Sequence, residues 1–263
     1  FFHSNIEESI NSIIKASNKI NLPSLIQKYI KKTYSSFDLV ITPSKYMKNY
    51  LNSIGINKTS TVYLGVDTDT FSLNGERYPV RKTFNIPEDK TLLIYAGRLS
   101  NDKNIRELPE IYNLLLKRSD KFHLLIIGSG PEEKNLRKEM KKNTTFLGFV
   151  RDKKILASIY RSCDIFITPS IAESFGLAII EAQSCGIPVV GYKKASLPEV
   201  TINPEFLVHN KSQFIDILLY KNKNKINRKE ISKKITSMFS WQQTFEQILN
   251  IYSNLIEKKY YAH

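Results

Sequence analysis

The sequence predicts an α/β fold in which helices cover both faces of a parallel sheet. From Thr91 onward, short segments rich in Ile, Leu and Val alternate with amphipathic segments of helical length. This alternation is typical of parallel sheets, because the helix that connects two parallel strands packs on a face of the sheet. The predicted strands are 91–96, 122–127, 144–147, 164–168, 188–191 and 205–208. The predicted helices lie near 103–118, 131–142, 152–161, 175–185 and 211–220. We therefore expect a Rossmann-like domain.

The part of the chain before this domain predicts helices and one strand–helix–strand unit. Strands are expected at 37–41 and 60–64, with a helix over 45–53 that is capped by the serine before it. Residues 72–90 contain glycine and prolines and are predicted to be a linker or loop. At the other end of the chain, a long amphipathic helix is predicted from Ser240 onward.

Length and composition are those of an ordinary globular protein. A chain of 263 residues is long enough for one large domain or two small domains with full cores. No apolar run reaches the roughly 18 residues that span a membrane. Cys163 and Cys185 lie alone in apolar segments and form no metal-binding or redox motif. We therefore expect two buried thiols in a reducing cytosol.

The positive charge of the chain suggests an anionic partner. The formal net charge is +14, which attracts anionic membranes, nucleic acids and phosphorylated ligands. No recognised nucleic-acid-binding motif accompanies the charge, so we expect no nucleic-acid partner. Residues 4–36 predict helices broken at Pro23, with lysines among apolar residues at helical spacing. Such a basic helix can rest on an anionic membrane surface, and a solvated surface helix is the alternative.

The segment 168–191 has the pattern of a ligand site. An apolar strand ends in a polar loop that carries Glu173, and a helix follows; ligands of parallel sheets bind at the carboxyl ends of strands. Ser174 or its neighbour can cap this helix. The amides that follow offer a partial positive charge to an anion, and a glycine among them lets a phosphate approach the backbone. These amides belong to Phe175, Gly176 and Leu177. Glu181 lies about two turns further on, so a phosphate site between two carboxylates indicates a nucleotide sugar.

These residues resemble a known signature. Glu173 and Glu181, separated by seven residues and followed by Gly186-Ile-Pro-Val-Val190, resemble the donor site of retaining glycosyltransferases of family 4, which adopt the GT-B fold. The resemblance extends from about Phe37 to Ile256. It implies a Rossmann-like C-terminal nucleotide-sugar domain and the last part of a Rossmann-like N-terminal domain, which is therefore incomplete. The implied divisions are a partial acceptor-side domain at 1–64, a connection at 65–90, the nucleotide-sugar domain at 91–239 and a C-terminal crossover helix at 240–263.

The same resemblance implies catalytic roles for Arg98, Lys103 and Glu173. The stretch from Gly97 to Asn104 matches the family pattern of Gly-Arg-Leu followed by Lys-Asn. An Arg offers forked donors to phosphate oxygens and a Lys adds a point charge, so both would neutralise the diphosphate leaving group. No metal ion is then required. We expect no cofactor beyond the nucleotide-diphosphate sugar, which is the donor substrate.

Further contacts follow from the resemblance alone. Glu181 would bind the ribose, and Glu173 the sugar hydroxyls. The other implied substrate-binding residues are Gly128 and Gly130 near the base and ribose, Phe149 and Val150 at the nucleobase edge, and His3 near the reacting sugar. The chain departs from the family at Ser174, which replaces a glycine. It departs again at 193–196, where the family has a Gly-rich loop before Pro-Glu.

The implied function is transfer of a hexose from a UDP- or GDP-sugar to a membrane lipid or cell-surface glycan, with retention of anomeric configuration. The implied location is the cytoplasm, as a peripheral protein on the inner face of the membrane. Two alternatives remain open. One is a non-catalytic basic nucleotide-binding module or an inactive subunit of a larger transferase. The other is a glycoside hydrolase, but eight residues on one helix rise about 12 Å, whereas its two carboxyl groups should lie roughly 5 to 9.5 Å apart.

Overall fold

The computed structural model describes Phe2, residues 22–220 and residues 226–260. Within these residues a small parallel sheet comes first. Strand β1 (Val40–Thr42) pairs with β2 (Thr59–Thr61), with Val40 opposite Thr59. Helices α1 (Leu22–Tyr34) and α2 (Lys45–Ser53) pack with this sheet around one hydrophobic cluster. The predicted strand–helix–strand unit is therefore confirmed, with shifted strand ends.

The larger sheet has six strands, all of them parallel. They are β3 (Thr91–Ala96), β4 (Phe122–Ile127), β5 (Thr144–Gly148), β6 (Ile165–Thr168), β7 (Val189–Tyr192) and β8 (Leu207–Val208). Their spatial order is β5-β4-β3-β6-β7-β8. The direction in which successive strands are added thus reverses between β3 and β6. All six strands were predicted from the apolar segments of the sequence.

Helices lie on both faces of this sheet. The helices that follow the small sheet are α3 (Val80–Thr83), α4 (Leu108–Arg118), α5 (Glu133–Glu139), α6 (Lys153–Ser162), α7 (Leu177–Ser184), α8 (Leu197–Val200), α9 (Lys211–Tyr220), α10 (Arg228–Met238) and α11 (Trp241–Tyr260), of which all but α11 contribute residues to the two hydrophobic clusters of the sheet. Alternate residues of β3 enter different cores: Leu92 and Ile94 belong to one hydrophobic cluster, and Leu93 and Tyr95 to another. Because successive side chains of a strand point to opposite faces, the sheet is buried on both sides, and the α/β prediction is confirmed.

Several local predictions were wrong. The helix predicted from residue 103 begins only at Leu108, because Asn104 has a left-handed backbone with φ of 51° and separates two short 3-10 turns. The linker predicted at 72–90 contains α3, and α10 was not predicted at all. The predicted break at Pro23 agrees with the start of α1, since Pro23 lies in the first turn of this helix, where a missing N–H is tolerated. The helices predicted over 4–21 lie outside the described residues.

Two other expectations concern burial and membranes. Cys163 and Cys185 are free and buried, as predicted, and burial raises the pKa of the Cys185 thiol to about 12, so the thiol is the stable form. In the described part of the chain, no helix combines the length and the apolar character needed to cross a bilayer.

Candidate functional site

A cleft lies where the strand order of the large sheet reverses. The loops after β3 and β6 leave neighbouring strands at the same edge, and ligands of open parallel sheets bind at this kind of switch point. The loop after β3 carries Arg98 and Lys103, and the loop after β6 carries Glu173 and Gly176. Residues that lie about 70 positions apart in the sequence therefore face one another.

A pocket of about 150 Å³ lies between these two loops, and both Lys103 and Glu173 line it. Lys103 Nζ donates to Glu173 Oε2 at 2.7 Å. The two side chains are only 21% and 15% exposed, so water screens this ion pair less than it screens a surface pair. A phosphate that enters the pocket would compete with Glu173 for Lys103, and a sugar hydroxyl would compete with Lys103 for Glu173.

The N-terminus of α7 opens into the same pocket. Gly176 is its N-cap residue, with φ of 97°, and its carbonyl accepts from the amides of Ile179 and Ile180. The first amides of a helix have no intrahelical partner, so those near Gly176 and Leu177 favour an anion. The prediction that Ser174 or its neighbour caps this helix through a side chain was wrong, because the left-handed backbone at the cap position suits glycine.

The side chain of Phe175 points into the core and not into the pocket that the neighbouring amides face. Its side chain is buried, stacks on Tyr63 at 6.1 Å between ring centroids and meets Phe239 edge-on at 5.7 Å. The ring therefore belongs to the core beneath the loop. Only its backbone is available to a ligand, and the predicted contact is with its backbone amide.

A second pocket, of about 360 Å³, adjoins the first. The two share Ala96, Gly97 and Ala178 as lining residues. The predicted site residues that line this second pocket are Arg98, Gly128, Phe149, Val150 and Glu181. Phe149 is 68% exposed, so its ring offers an apolar surface at the rim. The two adjoining pockets provide a polar end and a mainly apolar end for one elongated ligand.

Two glycines of the loop after β4 are required by packing. A Cβ on Gly128, whose φ is 125°, would lie 1.9 Å from the carbonyl oxygen of Gly97. A Cβ on Gly130 would lie 2.3 Å from the carbonyl oxygen of Leu99. Gly130 lines neither pocket. Both glycines thus let the loop after β4 approach the loop after β3, and this contact shapes the second pocket.

The carboxyl group of Glu181 has a raised pKa. Burial raises the pKa of its carboxyl from 4.5 to about 7; Lys153 opposes this rise and Asp67 adds to it. Near neutral pH the group therefore exists in both protonation states. In either state it can exchange hydrogen bonds with the hydroxyl groups of a ligand.

Arg98 is less engaged than the other candidate residues. Its side chain is 63% exposed and donates to Asp102 at 3.1 Å. A surface pair of this kind contributes little to stability, so a phosphate could attract the guanidinium away from Asp102. His3 lies outside the described residues. No group of three or more His, Cys, Asp or Glu side chains in the described ranges is arranged to hold a metal ion, and metal independence stays a prediction.

Asn104 was missed as a residue that shapes the site. Its side-chain amide donates to the carbonyl of Pro169 at 3.0 Å and to Glu107 at 2.6 Å. It therefore ties the loop after β3 to the loop after β6, directly beside Lys103. An asparagine that follows a site lysine was a usable signal, because asparagine tolerates the left-handed backbone better than most residues.

The fold and the cleft first define a class: α/β proteins that place a ligand at the switch point of a parallel sheet. Within that class, the sequence profile described as "Glycosyl transferases group 1" matches residues 77–238, which is more than half of the chain. The chain belongs to this family.

Two curated relatives illustrate the match. The chain is 28% identical over 232 residues to a GDP-mannose-dependent alpha-(1-6)-phosphatidylinositol dimannoside mannosyltransferase of Mycobacterium tuberculosis, covering 83% of this chain and 58% of the relative. It is 27% identical over 233 residues to the O-antigen biosynthesis glycosyltransferase WclY of Escherichia coli, covering 84% and 63%. The chain thus spans about three fifths of the length of these relatives.

Solved structures agree on the fold. Sucrose-phosphate synthase from Thermosynechococcus elongatus superposes with a TM-score of 0.75 at 22% identity, over 97% of this chain and 67% of that one. HepE from Anabaena, solved with UDP-glucose, superposes with a TM-score of 0.74 at 21% identity, over 87% and 67%. The predicted GT-B type of α/β fold is confirmed.

Proposed function

We propose that this chain carries the donor site of a retaining family 4 glycosyltransferase, which moves a hexose from a UDP- or GDP-sugar to a membrane lipid or cell-surface glycan. One observation carries the proposal. Lys103 and Glu173 form a largely buried ion pair beside the N-terminus of α7, in a pocket at the switch point of the sheet. A cation and helix amides suit a diphosphate, and the adjacent carboxylate suits the hydroxyls of the attached sugar.

The donor would lie along both pockets. Its diphosphate meets the amides at Gly176 and Leu177, while Lys103 and Arg98 neutralise phosphate charge. Its ribose reaches Glu181, and its base lies against Phe149 and the backbone at Val150. This arrangement leaves the sugar at Glu173. It uses every described residue of the predicted site except Gly128 and Gly130, which support the loop after β4, and the ring of Phe175, which supports the core.

The proposed reaction needs no protein nucleophile. The bond between the anomeric carbon and the phosphate oxygen breaks, and the acceptor oxygen forms a bond to that carbon on the same face. The acceptor proton passes to the departing phosphate oxygen, so the products are a nucleoside diphosphate and a glycosylated acceptor. Lys103, Arg98 and the helix amides stabilise the negative charge that grows on the leaving group. The ion pair with Glu173 holds Lys103 in place before the donor arrives.

The relatives leave the donor base open. One is named for GDP-mannose and a phosphatidylinositol dimannoside, another for O-antigen biosynthesis, and a solved neighbour holds UDP-glucose. These names support lipid and glycan acceptors equally. A hydrolase that uses Glu173 and Glu181 together is disfavoured, because the two carboxylates line different pockets and Glu173 is paired with Lys103.

Calorimetry with UDP-glucose and with GDP-mannose tests the donor site. We expect saturable binding of one of them, weakened about 10- to 100-fold in Lys103→Ala, since a hydrogen bond to a charged group contributes about 1.5–3 kcal/mol. Lys117→Ala removes an exposed lysine of α4 and is the matched control. Binding of neither donor, nor of UDP or GDP, would refute the site. Binding without transfer by the full-length protein would favour the non-catalytic module.

Membrane contact is a separate part of the proposal. Helix α1 exposes Leu25 and Tyr29, and the exposed Lys28 and Lys32 lie on the same side by helical spacing. This face supports peripheral binding to an anionic inner membrane surface from the cytoplasm. Sedimentation with phosphatidylserine vesicles should exceed that with phosphatidylcholine vesicles, and should fall in Lys28→Gln/Lys32→Gln. Equal sedimentation with both vesicles would contradict it.

A further inference from the structure

A short segment after β7, from Ser196 to Glu199, contacts the loop that carries Glu173. Ser196 is fully buried, and its Oγ donates to the carbonyl of Glu173 at 2.7 Å and to that of Phe175 at 3.0 Å. The backbone amide of Ser196 donates to the same Glu173 carbonyl at 3.2 Å. These bonds hold the backbone of the loop and leave the Glu173 carboxylate to its ion pair with Lys103.

Glu199, three residues further on, caps a helix of the small sheet. The amide of Lys45 donates to Glu199 Oε2 at 2.7 Å, and the amide of Tyr46 donates to Oε1 at 2.8 Å. The Tyr63 hydroxyl donates to Oε2 at 3.2 Å. Helix α2 has no acidic residue in its own first turn, so Glu199 supplies the negative charge that a helix N-terminus favours. The cap comes from a residue 154 positions later in the chain.

The N-cap residue of α2 reaches back to the same loop. Ser44 Oγ accepts from the amide of Met47 at 3.2 Å and donates to the carbonyl of Ser174 at 2.6 Å. The ring of Tyr63 stacks on Phe175 beneath it. We call Ser44, Ser196 and Glu199 the clasp. Together they join α2 to three successive residues of the donor-site loop, 173–175.

We propose that Glu199 is a positioning residue: it holds α2 against the loop of Glu173 and thereby transmits donor binding to the small sheet. This inference rests on the proposed function. Glu199 lines neither pocket, so it acts through the loop and not on the donor. When a donor engages Lys103 and Glu173, the loop loses mobility. Ser44 ties α2 to that loop, and Glu199 ties α2 to the segment 196–199, which itself holds the loop. Helix α2 therefore loses mobility when the loop does. Such shared ordering couples two parts of a molecule.

Amide hydrogen exchange tests the clasp without any ligand. In Glu199→Ala, the amides of Lys45 and Tyr46 lose their acceptors and should exchange about tenfold faster, as for any amide whose local opening becomes easier. Glu199→Gln keeps one acceptor oxygen and should lie between. Glu139→Gln removes an exposed carboxylate at the end of α5 and should leave both amides unchanged. Wild-type exchange in Glu199→Ala would overturn the proposal. If that variant fails to fold, Ser44→Ala serves, with Met47 as the amide that is followed.

Saturating nucleotide sugar then tests the transmission. In the wild type, donor should slow exchange at Lys45 and Tyr46 severalfold, and in Glu199→Ala this effect should disappear while calorimetric affinity stays within about threefold. Slowing that persists in the variant, or wild-type α2 amides that do not respond to bound donor, would overturn the coupling. Absence of donor binding by the wild type refutes the proposed function instead, and the ligand-free exchange still decides whether Glu199 holds α2.

Kinetics of the full-length protein separate positioning from mere stability. Glu199→Ala should lower kcat about tenfold with a donor KM near the wild-type value, and Glu199→Gln should recover part of the loss. A residue that only stabilises the fold would lower the unfolding midpoint and leave kcat per folded molecule unchanged. That result would overturn the positioning role.

Discussion

Replacing Glu181 with glutamine should stabilise the chain at pH 8 and have little effect at pH 4.5. Burial raises the pKa of this carboxyl to about 7, whereas in the unfolded chain it keeps its ordinary value of 4.5. Between these values the folded chain holds a proton that the unfolded chain has released. Stability therefore falls as the pH rises through this window, since the unfolded state binds fewer protons. Glutamine has nearly the same shape and does not ionise.

The size of the effect follows from the shift. One pKa unit corresponds to ~1.36 kcal/mol, so full ionisation of Glu181 costs the folded state roughly 3 kcal/mol. The variant should recover most of this cost above pH 7 and almost none below pH 4.5. If Glu181 binds the donor as proposed, its cost to the fold is an example of the general trade-off between stability and activity.

Urea unfolding at several pH values between 4.5 and 8 measures the difference. The free energy of unfolding of Glu181→Gln minus that of the wild type should grow with pH, with its steepest change between about pH 5 and 7. Glu139→Gln, an exposed carboxylate, should show no such trend. A difference that does not depend on pH, or a variant that is less stable than the wild type at pH 8, would refute the reasoning.

Three further predictions follow from the same contacts. Affinity for the nucleotide sugar should rise between pH 6 and pH 8 in the wild type but not in Glu181→Gln, because in the proposed site the ribose hydroxyls donate to the ionised carboxylate; calorimetry at both pH values decides this. Gly176→Ala and Gly148→Ala should each lower the free energy of unfolding by about 1–2 kcal/mol, because both glycines have a positive φ, of 97° and 69°. The cost should be larger at Gly176, where the added methyl would lie 2.9 Å from Ile179 Cδ1, than at Gly148, where it has no neighbour within 4 Å; urea unfolding that ranks the two variants in the opposite order would contradict this. Arg228→Met should cost about 3 kcal/mol of unfolding free energy, because its guanidinium donates to the carbonyls of Arg161, Cys163 and Cys185, and the exposed Lys229→Met should be nearly neutral; similar urea midpoints for both would show that these bonds contribute little.

The elements of the fold were largely predictable because their signals are local. Each strand of the large sheet is a short apolar run, and the cap at Ser44 precedes its helix directly. Predictions failed where one residue changed the local backbone. Asn104 delays α4 by adopting a left-handed conformation, and Gly176 caps α7 with its backbone and not with a side chain. Neither backbone conformation can be predicted from the spacing of apolar residues along the sequence.

The residue types that line the candidate site were predictable from the sequence, but their arrangement was not. The sequence indicated cations at the end of one strand and carboxylates after another. The pairing of Lys103 with Glu173 depends on β3 lying next to β6, which is a property of the strand order. The acidity of Glu181 depends on the burial that the folded chain imposes. The family pattern marked these residues without indicating either the pairing or the pKa.

The sequence by itself therefore determined which segments form strands and helices and which polar residues follow the strands. These features depend on the spacing of apolar residues and on the conformational preferences of turn residues, and both are local properties of a few neighbouring residues. Only the tertiary structure decided which of these residues meet. Contacts such as the Glu199 carboxylate at the N-terminus of α2 join positions that are 154 residues apart. Their physical cause is the packing of two sheets against a shared loop, and no local pattern of residues encodes that packing.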